Sequence, residues 1–139
     1  MKTVMLFGTF DIIHDGDFSL LRQASKLGDR LVVVIARDKT VLRIKKHLPL
    51  HSESERLQLL SHLDLIDDVM LGDVKDAYRV VRTEKPDIIA LGYDQTIFVA
   101  ELQETLTRTG LDTDIIRLKP YRPKRYKTHR LKDYLIKQL

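Results

Sequence analysis

Unbroken apolar runs alternate along the chain with segments whose apolar residues recur every three or four positions. The runs are short. Residues 31–36 (L-V-V-V-I-A) are apolar throughout, residues 87–91 (D-I-I-A-L) nearly so, and residues 2–7 lead into V-M-L-F. Runs without alternation suit strands buried on both faces, as in parallel sheets. Residues 68–71 and 114–118 read as two further strands. Between the strands the period changes to that of a helix. Residues 16–27 place Phe18, Leu21, Ala24 and Leu27 on one face and end at Gly28-Asp29. Residues 52–62 open with a capping box, Ser52-x-x-Glu55, and turn Leu57, Leu60 and Leu63 inward. Residues 73–84 carry Val74, Ala77, Tyr78 and Val81 on one stripe and stop at Lys85-Pro86. Residues 97–109 bury Leu102 and Leu106 and close at Gly110. Residues 128–139, with Thr128 as N-cap, form a last helix with Leu131, Tyr134, Leu135 and Leu139 on its apolar side. Residues 37–51 are polar and basic and read as a long loop, with at most a helical turn around Val41, Leu42 and Ile44. Residues 120–127 form a second basic loop containing two prolines.

Strands alternating with helices predict an α/β fold: one domain over residues 1–139, a doubly wound parallel sheet of about five strands with helices on both faces. Ligands bind such sheets at the carboxyl ends of the strands, where the strand order reverses. No internal repeat or low-complexity segment interrupts the pattern.

Composition narrows the class. Hydrophobic residues at 43% and charged residues at 32% are ordinary for a globular chain. No apolar run approaches the ~20 residues that span a bilayer. The N-terminus has one lysine and no small-residue cleavage site, so it does not read as a signal peptide. The absence of cysteine excludes disulfides and thiolate metal sites and fits a cytoplasmic protein. The net charge of +4 is unevenly placed. From residue 117 onward nine Lys/Arg face one acid, a local +8, which leaves the rest of the chain at −4. A basic tail of this kind binds phosphates or forms a solvated surface helix. Tyr121 and Tyr126 are too few aromatics for a base-stacking platform, so a small ligand is favoured over nucleic acid.

The chemistry concentrates at residues 4–17, V-M-L-F-G-T-F-D-I-I-H-D-G-D. This is a buried strand, a tight turn at Gly8 and a helix start. Such a junction gathers backbone N–H groups at the positive end of a helix, where a phosphate can sit. Thr9 adds a hydroxyl there and His14 an imidazole, while Asp11 can equally tie the loop together. His47, His51 and His62 have no metal-ligand spacing and read as surface or loop residues.

Several motifs in order over the whole chain resemble the cytidylyltransferase-like nucleotidyltransferases. They are Gly8-Thr9-Phe10-Asp11, His14-x-Gly16, Leu27-Gly28-Asp29, Ala36-Arg37-Asp38, Lys45-Lys46, Glu55-Arg56 and Gly92-Tyr93-Asp94-Gln95. Archaeal FAD synthases and glycerol-3-phosphate cytidylyltransferases are similar in size and order, and the Ala-Arg-Asp and Gly-x-Asp-Gln pieces look more like the former. The resemblance implies a Rossmann-like nucleotidyltransferase fold and in-line attack by a substrate phosphate on the α-phosphate of a nucleoside triphosphate, releasing pyrophosphate. It also implies Mg²⁺ or another divalent cation carried with the nucleotide, and a homodimer. By the same resemblance Thr9, Phe10 and His14 line the triphosphate, Gly8, Asp11 and Gly16 belong to the nucleotide-binding loop, and Lys45, Lys46, Arg56, Arg122 and Thr128 bring in donors and charge. Gly92, Asp94 and Gln95 lie by the base or ribose. His14, Asp17 and Lys46 are then the catalytic candidates.

Two positions depart from the family. Asp17 stands where the second motif histidine is expected. A carboxylate there either binds the Mg²⁺ that accompanies the phosphates or merely caps the helix. Residues 122–129 (R-P-K-R-Y-K-T-H) replace a Ser/Thr-rich motif. Three activities are therefore open: adenylyl transfer from ATP to FMN; cytidylyl transfer from CTP to glycerol 3-phosphate or a sugar phosphate; or a nucleotide- or RNA-binding module made inactive by Asp17.

Overall fold

The computed structural model of the chain describes residues 1–96 and 99–120. The elements run β1 (Thr3–Gly8), α1 (Asp15–Ser25), β2 (Arg30–Ile35), α2 (Asp38–Lys45), α3 (Glu53–Ser61), β3 (Asp68–Leu71), α4 (Arg79–Glu84), β4 (Ile88–Leu91), α5 (Val99–Thr109) and β5 (Asp114–Arg117). The five strands form one sheet in the order β3-β2-β1-β4-β5, and every pair is parallel. The doubly wound α/β sheet expected from the alternation is thus the observed fold. The expected last helix over residues 128–139 lies outside the described residues.

Alternation along each strand divides the core in two. Val4, Leu31 and Ile88 share a register and face one side, where Leu21 and Ala24 of α1 and Leu60 of α3 cover them. Met5, Val32 and Ile89 face the other, under Val81 of α4 and Leu102 and Leu106 of α5. With helices on both faces, only the strand ends are open to a ligand. Gly28 is required where α1 returns to β2, because a Cβ there would stand 2.7 Å from the Lys2 carbonyl oxygen. No helix among the described residues is long and apolar enough to cross a membrane.

Two segments differ from the sequence expectation. The basic loop over residues 37–51 begins as a helix, α2, which buries Val41. Its N-terminus is secured from outside the segment, since the Asp38 N–H donates to Glu53 Oε1 at 2.9 Å. The helix over residues 73–84 shortens to α4. Asp73 Oδ1 accepts the N–H groups of Lys75 and Asp76, and this Asx turn competes with helix at the start of the segment.

Candidate active site

β1 and β4 are neighbours, and the chain leaves them on opposite sides, to β2 by way of α1 and to β5 by way of α5. The sheet order reverses there, so the loop after β1 and the turn after β4 leave the sheet at the same edge, where such folds bind ligands. A Cβ at Gly92 would lie 3.8 Å from Leu20 of α1, which puts the β4 turn against that helix.

The loop after β1 is held from within. Phe10 has φ 53, a left-handed backbone, and its ring packs over Gly8, where an added Cβ would meet the ring at 2.6 Å. The residue is 8% exposed and belongs to the core. A contact with the triphosphate would therefore fall to its backbone rather than to its ring. Asp11 is also buried, and its carboxylate accepts the N–H groups of Leu50 at 2.8 Å and His51 at 2.9 Å. It works as the tie between two loops.

Arg56 is buried as well. It is 1% exposed, and it donates to the carbonyls of His51, Thr9 and Ala36 and to Asp38 Oδ1 at 2.7 Å. A guanidinium has five N–H donors, so the protein uses nearly all of them. In this network Arg56 binds the carbonyl ends of the loops. Asp38 and Glu53 complete the network by each accepting the other's backbone N–H. Arg37 donates to Glu53 Oε2 at 2.9 Å.

At the start of α1, His14 is the N-cap. Its Nδ1 accepts the Gly16 N–H at 3.0 Å, which leaves the proton on Nε2. Asp17 closes a capping box: its Oδ2 accepts the His14 N–H at 3.2 Å and lies 3.5 Å from His14 Nε2. Burial pushes the Asp17 carboxyl above its ordinary value, and the His14 ring and backbone N–H only partly oppose that. Lys45, the last residue of α2, brings its Nζ to 3.5 Å from Thr9 Oγ1. Lys46 follows as the left-handed C-cap with φ 66.

In the turn after β4, Gln95 Oε1 accepts the Gly92 N–H at 3.2 Å. Arg117 at the end of β5 donates to the carbonyls of Gly92 and Gln95, both at 2.9 Å. Asp94 is exposed on the same turn. Burial, with help from Asp94, raises the Tyr93 phenol.

Gly8, Thr9, His14, Gly16, Asp17 and Lys45 thus gather at the end of β1, with Lys46 next in the chain. Gly92, Asp94 and Gln95 stand at the end of β4. Arg122 and Thr128 lie outside the described residues. Sequence reasoning missed Arg117, for which no local signal exists. It also missed the exchange between Asp38 and Glu53, which only the fold brings together. Among the described residues, no three His, Cys, Asp or Glu side chains could hold a metal by themselves.

Residues 5–133 match the sequence family described as cytidylyltransferase-like. The chain is 47% identical over 125 residues to the FAD synthase of Methanothermobacter thermautotrophicus, covering 88% of this chain and 82% of that one. It is 45% identical over 121 residues to the FAD synthase of Aciduliprofundum boonei, covering 87% and 80%. Among solved structures, the lipopolysaccharide core biosynthesis protein from Thermoplasma volcanium superposes with a TM-score of 0.82 at 44% identity, covering 87% of this chain and 98% of that one. Pantoate-beta-alanine ligase from Francisella tularensis superposes at 0.62 with 16% identity, covering 94% and 67%, a likeness of fold alone.

Proposed function

The chain belongs to the cytidylyltransferase-like family and is a nucleotidyltransferase, and we propose that it transfers the adenylyl group of ATP to FMN, forming FAD and pyrophosphate. One observation carries this reading: the loop after β1 and the turn after β4 leave the sheet side by side where the strand order reverses, in a chain 47% identical to a FAD synthase over most of its length.

In the proposed reaction an FMN phosphate oxygen attacks the α-phosphorus of ATP. The bond from that phosphorus to the bridging oxygen breaks, and pyrophosphate leaves. The protein's part is orientation and stabilisation of developing charge. The N-terminus of α1 offers backbone N–H groups to the phosphates. His14 holds its proton on Nε2, where a phosphate oxygen can accept it in place of Asp17. Lys45 and Lys46 bring positive charge from α2 to the Thr9 side of the loop. Arg122 and Thr128, by the family pattern, add to this cluster.

The turn of residues 92–95 receives the adenosine. Neither packing nor a left-handed backbone demands glycine at 92, since an added Cβ there meets nothing closer than 3.8 Å. Asp17 fits a divalent cation as one oxygen donor among phosphate oxygens, the usual way Mg²⁺ is held without an all-protein cage. Such a cation supplies charge neutralisation on the triphosphate. A homodimer belongs to the same proposal.

A second reading, nucleotidyl transfer to a sugar phosphate, is favoured by the name of the Thermoplasma volcanium structure at 44% identity. One screen separates the two. Thermal shift with ATP, CTP, GTP and UTP is followed by pyrophosphate release with FMN, glycerol 3-phosphate and sugar phosphates, each with Mg²⁺. We expect release with ATP and FMN. Release only with CTP and a phosphorylated sugar or glycerol would move the protein to the second reading.

A further inference from the structure

Residues 46–51 combine two properties that seldom occur together on a free surface. The segment is fastened at its ends. Lys46 takes the left-handed C-cap of α2, the Asp11 carboxylate holds the N–H groups of Leu50 and His51, and Arg56 donates to the His51 carbonyl. The His51 ring adds a hydrogen bond from Nδ1 to the Asp11 carbonyl at 2.8 Å. Yet Leu48 is 59% exposed and Leu50 66%. Pro49 keeps Leu48 out of the helical region. Two exposed leucines two residues apart on a fastened loop mark a binding face more than a chance exposure.

We propose that this loop is the acceptor subsite: Leu48 and Leu50 receive a flat apolar ring system, and Lys45 and Lys46 hold the phosphate attached to it. The inference rests on the reading that the acceptor is FMN and names the residues that recognise it. The location agrees. Asp11, which fixes the loop, lies between Thr9 and His14, and Lys45 Nζ is 3.5 Å from Thr9 Oγ1. The acceptor phosphate would then lie beside the triphosphate while its ring extends outward over the leucines. Charge selects this occupant over a second copy of the chain. Residues 43–51 contain three Lys/Arg and no acid, so a twofold contact would set like charges face to face. An anionic ligand with an apolar ring matches both properties. Glycerol 3-phosphate has the phosphate and lacks the ring, so it would gain nothing from the leucines.

The test uses the full chain and a Leu48→Ser/Leu50→Ser double variant. Both positions are exposed, so folding should survive, and a matched melting temperature checks this. Leu50→Met serves as a conservative control. FMN binding is followed by flavin fluorescence, ATP binding by calorimetry, and association by sedimentation. The double variant should bind FMN about tenfold more weakly or worse, as expected when two apolar side chains no longer cover the ring. ATP affinity and sedimentation should not change, and Leu50→Met should stay near wild type. Unchanged FMN affinity would overturn the subsite, and so would a change of sedimentation with FMN affinity intact, which would make the loop an interface between copies. A wild-type protein that binds no FMN and makes no FAD would overturn the proposed function as well, so the two failures are told apart.

Discussion

Asp17 carries the main electrostatic conflict in the candidate site. Its carboxylate stabilises α1 as the partner of the His14 N–H in the capping box. The same carboxylate is buried, which disfavours its charge and raises its pKa. A folded-state value above the unfolded one means that the ionised group opposes folding. That cost is absent below the unfolded pKa and complete once the pH has risen through the folded one. Asp17→Asn keeps an acceptor for the cap and removes the charge. We therefore expect the variant to melt above wild type at pH 7, with the gap closing as the pH falls through and below the carboxylate range. A gap independent of pH would show that the charge has no cost. Pyrophosphate release measured on the same variant across a Mg²⁺ titration reads the second role. A raised Mg²⁺ requirement marks Asp17 as a ligand, and an unchanged one marks it as a cap.

The elements behind the site are linked through Arg56. It joins the β1 loop, the end of β2, the loop before α3 and the N-terminus of α2 through Thr9, Ala36, His51 and Asp38. Removing one partner of a buried charged pair costs about 3–5 kcal/mol. We expect Arg56→Met to lower the unfolding free energy by that order in urea titrations. Arg56→Lys should rescue it poorly, because an ammonium lacks the planar fork. Loss of ATP affinity at full stability would instead return Arg56 to the phosphates. The contrast shows where sequence pattern carries information. The Ser52/Glu55 capping box was legible because its partners are three residues apart, and it is present. α2 read as a loop because its N–H partner, Glu53, lies 15 residues on. The segment before α4 read as helix because its apolar spacing is helical, while the Asp73 side chain offers the backbone another partner. The motif loop was found from its residues, but the inward direction of Phe10, Asp11 and Arg56 is a product of packing and carries no local mark.

Over the whole molecule, the parallel order β3-β2-β1-β4-β5 leaves a single place where two crossovers diverge, between β1 and β4. The alternation of strands and helices predicted a sheet with such a place, and the motifs after β1 and β4 are the residues found there. The arrangement predicts chemistry at the α-phosphate of a nucleotide bound at that place. The most direct measurement incubates the protein with Mg²⁺, FMN and ATP labelled at the α-phosphorus, and in parallel with ATP labelled at the γ-phosphorus. The account predicts that the α-label appears in FAD and the γ-label in pyrophosphate, in equal amounts and only when FMN is present. Label from the γ-position released as inorganic phosphate, or no α-label in any dinucleotide while ATP is bound, would contradict it.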